Sequence, residues 1–255
     1  MQEKVYIPNK KKQKLAAIIH TPQTRGKFPA VILLHGFSGD KEEEHIKQLA
    51  VELVNNNFVA IRFDASGYAE SEGTAEEDYR LTSYFSDAES VYSYLKNLPY
   101  VDNDRIGLFG HSVGAMLVIL FAAKHLEIKA SVSVSAPSNL YKHYRLRGIW
   151  KGWKEKGFLE RQSYGKIVKI PYAYLEDAKQ YDALKEVSRI KNPVLFILGT
   201  EDINVIPEET KELYKKANEP KDLFIVDGMD HYYKNFPDKL AVVNKKVLEF
   251  YKKYL

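Results

Sequence analysis

Six short apolar runs rich in β-branched residues alternate with longer amphipathic stretches along most of this 255-residue chain. The alternation constrains the fold more than any other feature, because parallel strands need a crossover, usually helical, between them. Residues 29–34 are apolar throughout, as expected of a strand buried on both faces. Strands are expected at 58–63, 105–109, 130–134, 193–198 and 223–226, with helices at 42–56, 85–98 and 113–125 and others opening near 207 and 236. Residues 5–7 and 15–20 read as an antiparallel hairpin at one edge. The predicted architecture is α/β, a mostly parallel sheet with helices on both faces.

One long stretch breaks the rhythm. Residues 138–189 hold both tryptophans, Trp150 and Trp153, with Tyr141, Tyr144, Phe158, Tyr164, Tyr172, Tyr174 and Tyr181, and 12 Lys and Arg against 6 Asp and Glu. An insertion of that size is more than a loop. It is expected to form a mainly helical cap on a core of residues 1–137 and 190–255. Its aromatic residues either line an acyl pocket or form the insertion's own core, and its basic excess reads as a solvated face.

The chain has no cysteine, which excludes disulfides, zinc–thiolate sites and a thiol nucleophile. A net charge of +4 without a concentrated basic patch does not argue for nucleic acid. The first residues lack an apolar secretory core and no run is long enough to span a membrane, so the default expectation is a soluble, cytoplasmic protein.

Gly110-His111-Ser112-Val113-Gly114 carries the chemistry. A G-x-S-x-G pentapeptide alone is weak, but this one stands between an expected strand and an expected helix, the context that turns the serine outward. A serine hydroxyl needs a base, itself oriented by a carboxylate. Of seven histidines, His231 follows the strand at 223–226, at the sheet edge where α/β sites gather. Asp202, after the strand at 193–198, is the first choice for the acid, with Glu201 and Asp230 as rivals. Asp227, Asp230 and His231 lack further ligands at a metal-site spacing. The oxyanion donors are expected to be the N–H groups of Val113 and of Phe37, in a loop with Gly36 and Gly39. A main-chain donor leaves the Phe37 side chain unconstrained.

Together Leu34-His35-Gly36-Phe37, the segment Asp64-Ala65-Ser66-Gly67-Tyr68-Ala69-Glu70-Ser71, the Ser112 pentapeptide, Gly199-Thr200-Glu201-Asp202 and Asp230-His231 resemble the α/β-hydrolase superfamily. His35-Gly36-Phe37-Ser38-Gly39-Asp40-Lys41 and the position of the insertion are similar to the cinnamoyl (feruloyl) esterase branch. The resemblance implies a serine esterase with Ser112 as nucleophile, His231 as base and Asp202 as acid. It also implies oxyanion amides from Phe37 and Val113, a capped site, and no metal or organic cofactor. The chain departs from that pattern at Val113, Ala115 and Ala69, where the relatives often carry Gln, Gly and Gly. The expected partner is a small-molecule ester of aromatic or medium-chain acyl type, with Trp150 and Trp153 discriminating among acyl groups. The alternatives are an acylpeptidase, an acyl-CoA thioesterase, or a non-catalytic binding protein on the same fold. Monomer and homodimer both stay open.

Overall fold

The computed structural model describes residues 1–163 and 165–255; Tyr164 lies outside the described residues. An edge hairpin, β1 (Gln2–Pro8) and β2 (Lys14–His20), precedes β3 (Phe28–Leu34), α1 (Glu44–Asn55), β4 (Val59–Phe63), α2 (Leu81–Lys96), β5 (Val101–His111), α3 (Val113–Lys124) and β6 (Ala130–Val134). The insertion contributes α4 (Leu140–Leu146), α5 (Ile149–Lys156), β7 (Phe158–Ser163), β8 (Lys166–Pro171), α6 (Ala173–Ala178) and α7 (Ala183–Glu186). The chain closes with β9 (Val194–Gly199), α8 (Pro207–Lys216), β10 (Lys221–Val226) and α9 (Pro237–Tyr254).

Among the described residues, eight strands form one sheet in the order β1-β2-β4-β3-β5-β6-β9-β10. Only the pairings of β2, with β1 and β4, are antiparallel. Burial follows the period-2 rule on both faces. In β3, Ile32 and Leu34 pack into one core with α2, α3 and the insertion, while Val31 and Leu33 pack into the other with α1 and α9. Helix α3 is buried from Val113 to Ala123, which explains why its sequence is apolar all round. The chain leaves β3 for β4 on one side, then returns to β5 on the other. That reversal opens a crevice at the carboxyl ends of β3 and β5, where the Phe37 and Ser112 turns lie.

Two elements differ from the sequence expectation. Helix α2 begins at Leu81, four residues earlier than its apolar pattern suggests. Arg80 supplies no side-chain cap; instead Asp177, from the insertion, accepts from the Thr82 N–H at 2.9 Å and from its hydroxyl at 2.6 Å. A carboxylate at a helix start satisfies free donors and favours the dipole, here from 95 residues away. The insertion is helical apart from one antiparallel hairpin, β7 with β8, which the reading of a mainly helical segment did not contain. Val168 and Ile170, two apart, turn toward the core while Ile167 and Lys169 face solvent, as in a two-faced ribbon, with Gly165 at φ +72° in its turn.

Candidate active site

Ser112 occupies the sharp turn between β5 and α3, with φ 56° and ψ −120°. An L-residue holds such a conformation only when its surroundings over-determine it. They do. The Ser112 N–H donates to the Val134 carbonyl at 2.9 Å, and its carbonyl accepts from Met116 N–H at 3.1 Å. A Cβ on Gly110 would lie 2.3 Å from the Gly114 carbonyl carbon, and one on Gly114 would lie 2.2 Å from the Leu34 oxygen. Glycine at both positions is what lets β3, β5 and α3 meet.

The loops after β9 and β10 bring their side chains to the same point. A tight approach helps: a Cβ on Gly199 would sit 2.0 Å from the Met229 carbonyl oxygen, so the two loops are in backbone contact. His231 Nε2 lies 3.0 Å from Ser112 Oγ, and its Nδ1 lies 2.8 Å from Asp202 Oδ2. The tautomer that satisfies both has Nδ1–H donating to Asp202 and Nε2 accepting the serine proton. The other Asp202 oxygen accepts from the N–H groups of Asn204 at 2.9 Å and Val205 at 2.8 Å. Its carboxylate is therefore fixed from both sides and buried. The rivals are elsewhere: Glu201 is exposed, and Asp230 caps its own turn through the Tyr232 N–H.

The loop after β3 completes the arrangement. Phe37 and Val113 line the same cavity as Ser112, and neither N–H has a protein acceptor among the described residues. The loop's left-handed residue is Ser38, at φ 55°, rather than Gly36 or Gly39. Its backbone is held by Ser38 N–H donating to Tyr79 Oη at 2.9 Å, Gly39 N–H to the Gly36 carbonyl at 3.1 Å, and Tyr84 Oη–H to the His35 carbonyl at 3.2 Å.

Sequence reasoning missed the anchor beneath it. Lys41 and Asp64 form a fully buried ion pair at 2.7 Å, Asp64 also accepts the Lys41 N–H at 2.8 Å, and Glu70 bonds the same ammonium. Removing one member of such a pair strands a charge in the interior. The signal was present in the motifs, since Lys41 and Asp64 end and begin two of the segments that carry the family resemblance. Ala69, one of the departures from that pattern, stands at φ 53°, where glycine would be unstrained.

Two further histidines back the site. The His111 ring lies 4.7 Å from that of His231, and the His45 ring lies 4.9 Å from His111. Burial holds His45 down to about 4 and His111 well below the ordinary imidazole value. Both are neutral at pH 7 and add no charge beside the His231 ring. Burial alone would raise the Glu43 carboxyl, but in the acid range where it titrates a protonated His45 and its ion-pair partner Lys234 outweigh burial and hold it below the usual range.

The Phe37 side chain is not idle, contrary to the expectation that only its backbone matters. Its ring meets Tyr174 at 4.9 Å, Trp153 at 5.8 Å, Tyr144 at 5.9 Å and Tyr79 at 6.2 Å. Three of these belong to the insertion, so the residue at the site's edge is also the insertion's docking point. Trp153 is 2% exposed and donates Nε1–H to the Ile170 carbonyl at 3.0 Å, while Trp150 stacks against the Arg145 guanidinium at 4.5 Å. Neither lines the cavity beside Ser112. The tryptophans are structural, and Leu140, His143, Tyr144, Arg147, Ile149 and Arg161 form the insertion's wall of that cavity. Its volume is about 240 Å3.

A mostly parallel sheet with helices on both faces, and a serine at the strand–helix turn beside a histidine and a buried aspartate, defines the α/β hydrolases. Within them the chain belongs to the prolyl oligopeptidase family (Peptidase_S9), which matches residues 76–255. It is 26% identical to an uncharacterized 31.7 kDa protein from the traX-finO intergenic region of Escherichia coli, over 94% of this chain and 96% of that one. The structure is similar to that of Est1E from Butyrivibrio proteoclasticus with ferulic acid bound, at 25% identity, TM-score 0.80 and 98% coverage of both chains. The Pyrococcus furiosus esterase Pf2001 resembles it over 100% of this chain and 93% of its own, at 24% identity and TM-score 0.73, a likeness of fold. No helix among the described residues is long and apolar enough to cross a membrane.

Proposed function

We propose that the protein is a serine hydrolase of compact carboxylic esters. The observation that carries this reading is the continuous chain Ser112 Oγ, His231, Asp202, with links of 3.0 and 2.8 Å, on a serine in strained backbone geometry. Ser112 attacks the ester carbonyl as His231 takes its proton. The imidazolium, stabilised by Asp202, then protonates the leaving alcohol, and a water activated by His231 clears the acyl-enzyme. The Phe37 and Val113 N–H groups receive the oxyanion, each worth about 2.7 to 4 kcal/mol of barrier in comparable sites. Residues 138–189 act as a cap subdomain whose wall, Tyr144 and Arg161 included, limits the substrate's size. Est1E, whose structure holds ferulic acid, supports an aromatic acyl group of that scale.

The family match favours a second reading, hydrolysis of an amide bond in a short acylated peptide by the same residues. A panel of aryl, alkyl, thioester and aminoacyl substrates separates the two. A fluorophosphonate is expected to label Ser112, and Ser112→Ala to lose at least about three decades of kcat with the fold intact. An adduct on any other serine refutes the assignment.

A further inference from the structure

The cavity beside Ser112 carries more positive charge than its own acids neutralise. Lys234 is paired with Glu43, and His143 Nδ1 lies 2.8 Å from Glu209. Arg147 and Arg161 remain, and neither makes an ion pair among the described residues. Arg161 is half-buried, its guanidinium 5.9 Å from the Phe37 ring, and among the described residues it donates to the Glu160 carbonyl at 2.9 Å. Arg147 is steered by Asn204, donating to its carbonyl and, at 2.9 Å, to Oδ1. The strand order puts the Phe37 loop and the Asn204 loop on opposite sides of Ser112, so one guanidinium stands on each flank of the reacting serine.

The half-buried Arg161 guanidinium has lost part of its hydration without gaining a carboxylate, which is unfavourable until an anion arrives; Arg147 is exposed and keeps its water, and the planar fork of either fits a carboxylate. We propose that the substrate carries a carboxylate a few bonds from the scissile ester, bound by Arg161 or by Arg147 on the other flank. The inference rests on the ester-hydrolase reading. Arg147 and Arg161 line the same cavity as Ser112, and that closeness sets the spacing at a few bonds. The same arginines would repel cationic esters and leave neutral ones without an anchor.

The test compares kcat/KM for two hemi-esters with neutral partners of equal length. p-Nitrophenyl hemiglutarate against p-nitrophenyl valerate places the anion on the acyl side, and carboxymethyl butyrate against propyl butyrate places it on the alcohol side. At least one hemi-ester is expected to exceed its neutral partner by about tenfold or more, with the preference shrinking as salt is raised to about 0.5 M. Arg161→Gln or Arg147→Gln is expected to cut that ratio about tenfold, and the lysine variant to restore part of it. The wild-type ratio and its salt dependence need no variant, so misfolding of a mutant leaves the inference testable. No preference for either hemi-ester, or a preference indifferent to both arginines, overturns it. If neutral esters are turned over in a Ser112-dependent way without an anionic preference, the carboxylate subsite alone fails. If no ester is turned over, the hydrolase reading fails and takes this inference with it.

Discussion

Truncating Phe37 to alanine separates the two jobs of one residue. Its ring has three aromatic neighbours in the insertion, Tyr174, Trp153 and Tyr144, at centroid distances of 4.9 to 5.9 Å. Such pairs contribute about 0.5 to 1.5 kcal/mol each beyond the area they bury. Because the ring is only half-buried, the lower end applies, so the three pairs contribute about 1.5 kcal/mol, and with the burial lost the expected cost is about 2 to 3 kcal/mol, concentrated in the packing of residues 138–189. The main chain of the same loop is held separately, by the Tyr79 and Tyr84 hydroxyls and the buried Lys41–Asp64 pair. Its N–H should therefore stay in position. Phe37→Ala is expected to lower amide-exchange protection in α4–α6 while kcat for an acetyl ester changes by less than about tenfold. Loss of the oxyanion donor itself would cost two to three decades. Unchanged protection would show that the ring is no clasp, and a hundredfold fall in kcat would show that the loop depends on it.

Three further outcomes are expected. Gly114→Ala pushes a methyl within 2.2 Å of the Leu34 oxygen and 2.6 Å of the His35 oxygen, and should cost about 3 kcal/mol in chemical denaturation; an unshifted midpoint would contradict the close packing of α3 on β3. Asp202→Asn should reduce kcat by about four decades, whereas Glu201→Gln and Asp230→Asn stay within about tenfold; comparable losses in all three would move the acid's role away from Asp202. His20 and His45 are both held down to about 4 chiefly by burial, while the unfolded chain binds those protons near 6.5. Between pH 6.5 and 4 the unfolded state thus holds more protons, and stability declines as pH falls, by up to roughly 3 kcal/mol for the fully buried His45 and less for His20. Urea titrations at pH 7 and 4.5 measure this; His45→Phe should flatten the slope, and a flat wild-type profile would refute it.

The strand–helix alternation was legible in the sequence because burial on one face leaves a period, as in α1 and α9, and burial all round leaves an unbroken apolar run, as in β3 and α3. The strand–helix context of Ser112 was legible too, since glycine at 110 and 114 answers a local steric demand that neighbours in the chain impose. What lies between distant residues left no such period. Helix α2 begins at Leu81 because Asp177 caps it from the insertion, and no local rule reports a cap 95 residues away. Asp202 stood first with Glu201 and Asp230 as rivals, and only the loop after β9, folded against Met229, turns the Asp202 carboxylate toward the His231 ring. Composition could count aromatic residues in the insertion but could not say which face they turn. Trp153 packs inward on Phe37 while Tyr144 and Arg161 border the cavity. Lys41 and Asp64 stand in two separate motif segments, and only the closing of two loops over each other draws both out of water into one buried pair. Local sterics and burial periodicity belong to the sequence; the choice of partner across space belongs to the tertiary structure, because contact between residues far apart depends on the path of the whole chain.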